Sequence, residues 1–293
     1  SWRGSFTALV PPHRMQSQHG RGSPLHDDTI QDDSATHPAR TALSRFSVAA
    51  ASDCGRRRKV NQDRYFADTH AGVIVLADGM GGHNSGELAA QIAVDGVSSR
   101  LMQRAAAGSD KARNDDLPIA SLLTQALDEA NADIFTRGQD AEHKGMGTTA
   151  IAALLNGATL HAAHVGDSRL YLYRRGELQQ LSRDHSRLQE LIDEGFFTVR
   201  DSRRSGIGHV LTRALGNAAS VSSDAIECKL EDEDVLLFCS DGLSDLVDDW
   251  QITDTLGECR GDLARTCRKL IDHANRNGGT DNITAVLARY EDA

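Results

Sequence analysis

Short apolar runs that stop at, or start beside, an aspartate constrain this chain more than any other feature. Val73-Ile74-Val75-Leu76-Ala77 leads into Asp78-Gly79, and Val235-Leu236-Leu237-Phe238-Cys239-Ser240 leads into Asp241-Gly242. Asp281 stands directly before Asn282-Ile283-Thr284-Ala285-Val286-Leu287. Asp167 sits in Val165-Gly166-Asp167-Ser168-Arg169 between two such runs, and Asp63 precedes Tyr65-Phe66. Brief apolar runs bounded by turn residues read as strands. A chain built this way carries its acids at the ends of core strands.

Further strand-like runs are Phe46–Ala51, Thr148–Leu155, Thr159–Val165 and Leu170–Tyr173. Asn156-Gly157 and Arg175-Gly176 lie between runs and predict tight hairpins, hence antiparallel pairing. Helical periodicity appears in blocks between the strands. Ile119, Leu122, Leu123, Ala126, Leu127, Ala130 and Ile134 form one apolar stripe, and Leu263, Cys267, Leu270, Ile271 and Ala274 form another. A broader stripe follows His83: Leu88, Ile92, Ala93, Val97 and Leu101. Groups of strands separated by helices predict an α+β fold of antiparallel sheets covered by helices. Hydrophobic residues make up 39% of the chain, enough to bury a sizeable core. Asp184–Asn217 starts amphipathic and turns polar, which reads as a flap insertion, and long loops of this kind are often functional. Residues 1–42, rich in Ser, His, Arg, Asp, Gly and Pro without periodicity, read as a flexible tail ahead of a domain spanning 43–293. The chain opens on Ser1 rather than Met, as expected of a processed or engineered fragment.

Charge and cysteine usage narrow the function classes. The net charge of −10 argues against a general nucleic-acid grip, although a local basic cluster exists at Arg56, Arg57, Arg58 and Lys59. The five cysteines have no CxxC spacing, so neither a disulfide framework nor a zinc site is expected, and Cys239 and Cys267 fall on apolar patterns. Reduced thiols suit a cytoplasmic location. No apolar run approaches the ~20 residues that span a bilayer, and the N-terminus carries no apolar signal region.

The acids pose a charge problem if they converge. Two carboxylates ~5 Å apart repel by roughly 3 kcal/mol at an effective dielectric of ~20. Three such pairs total about 10 kcal/mol, comparable with the whole stability of a domain. Taken singly, each reads as a turn aspartate. As a set at strand ends flanked by glycine, they read as ligands for hard divalent cations, which take oxygen donors and few carboxylates. Glycine beside the acid lets a backbone carbonyl approach as a further ligand.

Several longer motifs extend this reading. Gly55-Arg56-Arg57-Arg58-Lys59-Val60-Asn61-Gln62-Asp63 precedes Ala77-Asp78-Gly79-Met80-Gly81-Gly82-His83-Asn84-Ser85-Gly86-Glu87. Met146-Gly147-Thr148-Thr149, Val165-Gly166-Asp167-Ser168-Arg169 and Leu181-Ser182-Arg183-Asp184-His185-Ser186 follow. Leu211-Thr212-Arg213-Ala214-Leu215-Gly216, Ser240-Asp241-Gly242-Leu243 and Thr280-Asp281-Asn282-Ile283-Thr284 complete the order. Over about residues 45–290 the chain resembles the type-2C metal-dependent serine/threonine protein phosphatases (the PPM family) in their bacterial form.

The resemblance implies a central β-sandwich of two antiparallel sheets with helices on both outer faces. It implies two Mn²⁺ or Mg²⁺ ions, with Asp78 bridging them, the Gly79 carbonyl on one, and Asp241 and Asp281 completing the other. Asp63 matches an acid that acts through metal-bound water, and Asp167 matches one that, with Asp241, binds a third, weaker ion. Arg58 matches the arginine that grips the substrate phosphate. The implied reaction is hydrolysis of phosphoserine and phosphothreonine in proteins by a bimetal-activated water, without a phosphoenzyme. The implied partners are phosphoprotein substrates of a cognate Ser/Thr kinase, met by a monomer with no membrane span. A catalytically silent binding module is the alternative, but such a relative should have lost the metal acids.

Three positions depart from the family pattern. Gln62 stands where many relatives carry Glu. Met80 stands where eukaryotic relatives carry a histidine proposed as general acid, so the proton donor is unassigned; His83 reads as helix-start packing or a solvated side chain. His164, where the family often has Asn, reads as a strand histidine.

Overall fold

The computed structural model describes residues 46–82, 85–106, 117–198, 210–258 and 261–292. The tail 1–42, His83 and residues 199–209 of the flap lie outside the described residues. Among the described residues, eleven strands pair antiparallel throughout, in two sheets. The first runs β1 (Phe46–Asp53), β11 (Ile283–Tyr290), β10 (Val235–Cys239), β7 (Arg169–Arg174), β8 (Glu177–Gln180). The second runs β2 (Asp63–Asp68), β3 (Val73–Met80), β5 (Ala150–Asn156), β6 (Thr159–Val165), β9 (Asp224–Lys229), with the short β4 (Gly147–Thr148) on the end of β3.

The strand period of two explains the layering. Along β3, Ile74 and Leu76 face the other sheet, where Leu170, Leu172, Leu236, Phe238 and Val286 meet them. Val73, Val75 and Ala77 face outward onto α1 (Ser85–Ala106) and α2 (Ile119–Arg137), whose apolar stripes supply Ala93, Val97, Leu123 and Leu127. Tyr171, Leu237, Cys239 and Leu287 of the first sheet face outward onto α5 (Asp249–Glu258) and α6 (Leu263–Arg276), among Ile252, Cys267 and Leu270. The expected α-β-β-α sandwich is therefore observed. α3 (Arg187–Asp193) opens the flap, and α4 (Asp241–Ser244) caps the exit of β10.

The Asn156-Gly157 hairpin joins β5 to β6, and Arg175-Gly176 joins β7 to β8. Arg175 and Gly176 both have positive φ (51° and 88°), as a two-residue turn matched to strand twist requires. The expected strand Thr148–Leu155 is broken at Thr149, which splits β4 from β5. Cys239 and Cys267 are buried as expected, and no described cysteine forms a disulfide. No described helix is long and apolar enough to cross a membrane.

Candidate active site

Both sheets deliver acids to one edge. Pairing of β2 with β3 sets Asp63 directly opposite Asp78. From the other sheet, Asp241 begins α4 as β10 ends, and Asp281 lies two residues before β11. The Ser240 N–H donates to the Thr284 carbonyl (3.2 Å), so these two ends are neighbours. Asp167 occupies the turn by which β6 of one sheet passes to β7 of the other.

These residues surround a cavity of about 190 Å³ lined by Arg58, Gln62, Asp78, Gly79, Met80, Gly81, Asp167, Leu211, Asp241 and Asp281. All the candidate site residues except Asp63 line it. Asp63 is buried behind the wall, where its Oδ2 accepts from Ser240 Oγ (2.8 Å) and Thr284 Oγ1 (2.6 Å). Among the described residues, no donor reaches its buried Oδ1.

The backbone around Asp78 is fixed from two sides. Its N–H donates to Thr149 Oγ1 (3.0 Å), and its carbonyl accepts from the Thr149 N–H (2.9 Å) and Thr148 Oγ1 (2.8 Å). Thr149 Oγ1 also meets Ser168 Oγ at 2.8 Å, tying Asp78 to the Asp167 turn. Gly79 packs against the start of α1: a Cβ there would lie 2.1 Å from the Gly86 carbonyl oxygen and 2.8 Å from that of Gln62.

His185 brackets the same turn. Its N–H donates to the Gly166 carbonyl (2.9 Å), and its Nδ1 accepts from the Gly166 N–H (3.2 Å). Its Nε2 faces Asp224 at 3.3 Å, and its ring stacks on His164 with centroids 4.6 Å apart. His164, His185 and Asp224 are metal-ligand types in proximity. However, Arg213 Nη1 lies 2.8 Å from Asp224 Oδ1 and 3.2 Å from His185 Nε2. That guanidinium already balances the charge, so the cluster reads as an anchor for the flap.

Burial pushes the Asp63 carboxyl up to about 6, against the lowering hydrogen bonds from Thr284 and Ser240. Burial, then the charges of Asp63, Asp241, Asp167 and Asp281, hold Asp78 well above the usual carboxylate range. Asp167 is raised likewise by burial and then by Asp241. These acids therefore resist ionising together without a balancing cation. An all-oxygen donor set with an orphaned buried oxygen fits a hard divalent ion.

Arg58 stands at the rim, with its Nη2 2.6 Å from Asp281 Oδ2. Asn282 holds the loop that carries it. Its Nδ2 donates to the carbonyls of Cys54 (3.0 Å) and Val60 (2.9 Å), and its Oδ1 accepts from the Gln62 N–H (2.8 Å).

The family pattern described as Protein phosphatase 2C matches residues 52–288, which contain every one of these residues. The chain belongs to the protein phosphatase 2C family. The serine/threonine phosphatase stp of Listeria welshimeri is 33% identical over 240 residues, covering 80% of this chain and 92% of that protein. The serine/threonine protein phosphatase PstP of Mycobacterium tuberculosis is 36% identical over 249 residues, covering 83% of this chain and 45% of PstP. A crystal structure of the PstP catalytic domain in complex with two manganese ions superposes with a TM-score of 0.70 at 35% identity, over 84% of this chain and 99% of that one. For this family member, the expected phosphatase class and sandwich fold are met.

Sequence reasoning assigned no role to Thr148, Thr149, Ser240, Thr284, Asn282 or His185, although all stand in the quoted motifs. For Ser240 and Asn282 the available signal was a hydroxyl or amide directly beside an acid, Asp241 and Asp281; Thr148 and Thr149 stand beside no acid in the sequence. What each side chain touches depends on contacts tens to hundreds of residues apart.

Proposed function

We propose that the chain is a metal-dependent protein-serine/threonine phosphatase that hydrolyses phosphoserine and phosphothreonine in proteins. One observation carries this reading: acids from the ends of both sheets meet in one cavity with an arginine at its rim. Asp78, Asp241, Asp281 and the Gly79 carbonyl would hold two Mn²⁺ or Mg²⁺ ions, Asp63 would act through water, and Asp167 with Asp241 would hold a third, weaker ion. Bound ions of this kind supply Lewis-acid charge neutralisation and lower the pKa of water, which allows direct hydrolysis.

The chain's own residues do the rest. Arg58 exchanges its pairing with Asp281 for the substrate phosphate, whose oxygens its planar fork holds two at a time. Ser240 and Thr284 keep Asp63 oriented. Thr148 and Thr149 hold the backbone of Asp78. Among the described residues lining the cavity there is no Cys, Ser or Thr, so no thiol or hydroxyl stands there as a nucleophile, and direct hydrolysis without a phosphoenzyme is the reading adopted. Met80 lines it but has no proton to give.

The substrates in this reading are phosphoproteins of a cognate kinase, met in the cytoplasm by a monomer whose catalytic domain spans 43–293. The flap at 184–217 is the segment placed to tune specificity. Purified protein should hydrolyse an aryl phosphate and phosphopeptides with Mn²⁺ or Mg²⁺, and lose that turnover in excess chelator and in Asp241→Asn. Full activity in either case overturns the proposal.

A further inference from the structure

We propose that Arg56, Arg57 and Lys59 form an anion-binding rim that selects phosphoproteins carrying negative charge next to the phosphoresidue. The proposal rests on the phosphatase reading and names its substrate class. Arg56, Arg57, Arg58 and Lys59 are all exposed, on the loop whose Arg58 lines the cavity. Arg58 pairs with Asp281, but no described acid pairs with Arg56, Arg57 or Lys59. Arg64, Arg169, Arg174, Arg213 and Arg289 each hold a carboxylate, with Glu87, Asp184, Asp234, Asp224 and Glu291. The chain has 42 acids against 32 bases, yet among the described residues none is set against these three exposed cations beside the cavity.

The loop is a held platform. The N–H groups of Arg56 and Arg57 both donate to the Gly279 carbonyl (2.7 and 3.2 Å), and Asn282 fixes the carbonyls of Cys54 and Val60 at its two ends. Gly55 takes φ +77°, and a Cβ there would lie 2.1 Å from the Asp281 carbonyl oxygen, so the loop sits directly on the metal-ligand segment. A Cβ on Gly279 would come within 2.7 Å of Arg56 Cγ, so the Arg56 stem lies against that turn. An extended peptide advances ~3.4 Å per residue. A phosphoresidue gripped by Arg58 therefore carries its near neighbours past the long side chains on either side. Asp, Glu or a second phosphate supplies the same complement. Charge of this kind acts mainly on encounter and KM, and it is screened by salt.

The test uses the full chain with Mn²⁺ and phosphothreonine peptides flanked by Asp/Glu, by a second phosphoserine, by Ala or by Lys. Expected kcat/KM falls in the order anionic, Ala, Lys, and the two anionic arms show whether carboxylate or phosphate is favoured. Arg57→Ser/Lys59→Ser should reduce the rate on anionic peptides by about fivefold. Arg57→Glu/Lys59→Glu should reverse the order, with kcat for p-nitrophenyl phosphate retained in both. Equal rates on acidic and Lys-flanked peptides, or a preference surviving charge reversal, overturn the rim. If p-nitrophenyl phosphate is not turned over at all, the phosphatase reading falls. The rim is then judged by fluorescence-anisotropy binding of the same peptides, where the same order sustains it and equal Kd values overturn it.

Discussion

Single residues here serve the site at a cost to the metal-free fold. Asp63, Asp78 and Asp167 are pushed up by burial and by neighbouring acids. Removing one charge from such a set should relieve repulsion of roughly 3 kcal/mol per close pair at an effective dielectric of ~20, less after relaxation. Asp241→Asn is thus expected to lose turnover by about 100-fold or more, beyond what outer-shell changes at metal sites cost. Its melting temperature without metal should hold or rise. A variant that loses activity and stability together would mark Asp241 as structural instead.

His164 gives a pH dependence of definite sign. Burial, then the neighbouring His185, lowers its pKa to about 4 from 6.5. The unfolded chain takes up a proton near 6.5 and the folded one resists to about 4. The stability tied to the neutral ring is full above 6.5 and is lost as pH falls through that window, about 3 kcal/mol in all. Asp63 runs the other way: raised to about 6, its contribution is present at low pH and lost as pH climbs through 6. Denaturant unfolding of wild type and His164→Asn at pH 7 and pH 4.5 isolates the histidine, since Asp63 is common to both. The wild type should lose more on acidification. Parallel losses would contradict the assignment.

At the scale of elements, strands buried on both faces were legible. Val235–Cys239 matches its expected bounds residue for residue because a continuous apolar run leaves little ambiguity, and Thr159–Val165 does so because Asn156-Gly157 and Gly166 bound it. The half-polar strands were not. β8 and β9 alternate between half-buried and exposed positions, and β2 shows only Tyr65-Phe66 as an apolar core. Asp78, Asp241 and Asp281 were legible as candidates because each borders a strong apolar run, whereas Asp63 starts a weak one. The pairing of Asp63 with Asp78, and the hydroxyls that hold Asp63, depend on strand register and a neighbour on the other sheet. The close approach of β3 to α1 at Gly79 is testable at the same scale. Gly79→Ala drives a Cβ into backbone and should cost about 1–3 kcal/mol or more, as overpacking does. Gly82→Ala meets nothing within 4 Å and should be nearly neutral in the same unfolding assay. Equal effects at both positions would contradict the packing.

For the whole molecule, two sheets sandwiched between helix pairs present their acids on one edge, so in the proposed reading stability and metal affinity should be linked. Ligands must lose their protons before a cation binds, and a cation that binds only the folded state stabilises it. Mn²⁺ should raise the melting temperature more at pH 7 than at pH 5, and a pH-independent shift would argue against these carboxylates as the ligands. The most direct test of the central claim is phosphate release from a phosphothreonine peptide by chelator-stripped protein titrated with Mn²⁺. The expected result is no turnover without metal and saturable recovery as Mn²⁺ is added. Undiminished release in excess chelator, or none at saturating Mn²⁺ with the metal bound, would contradict it.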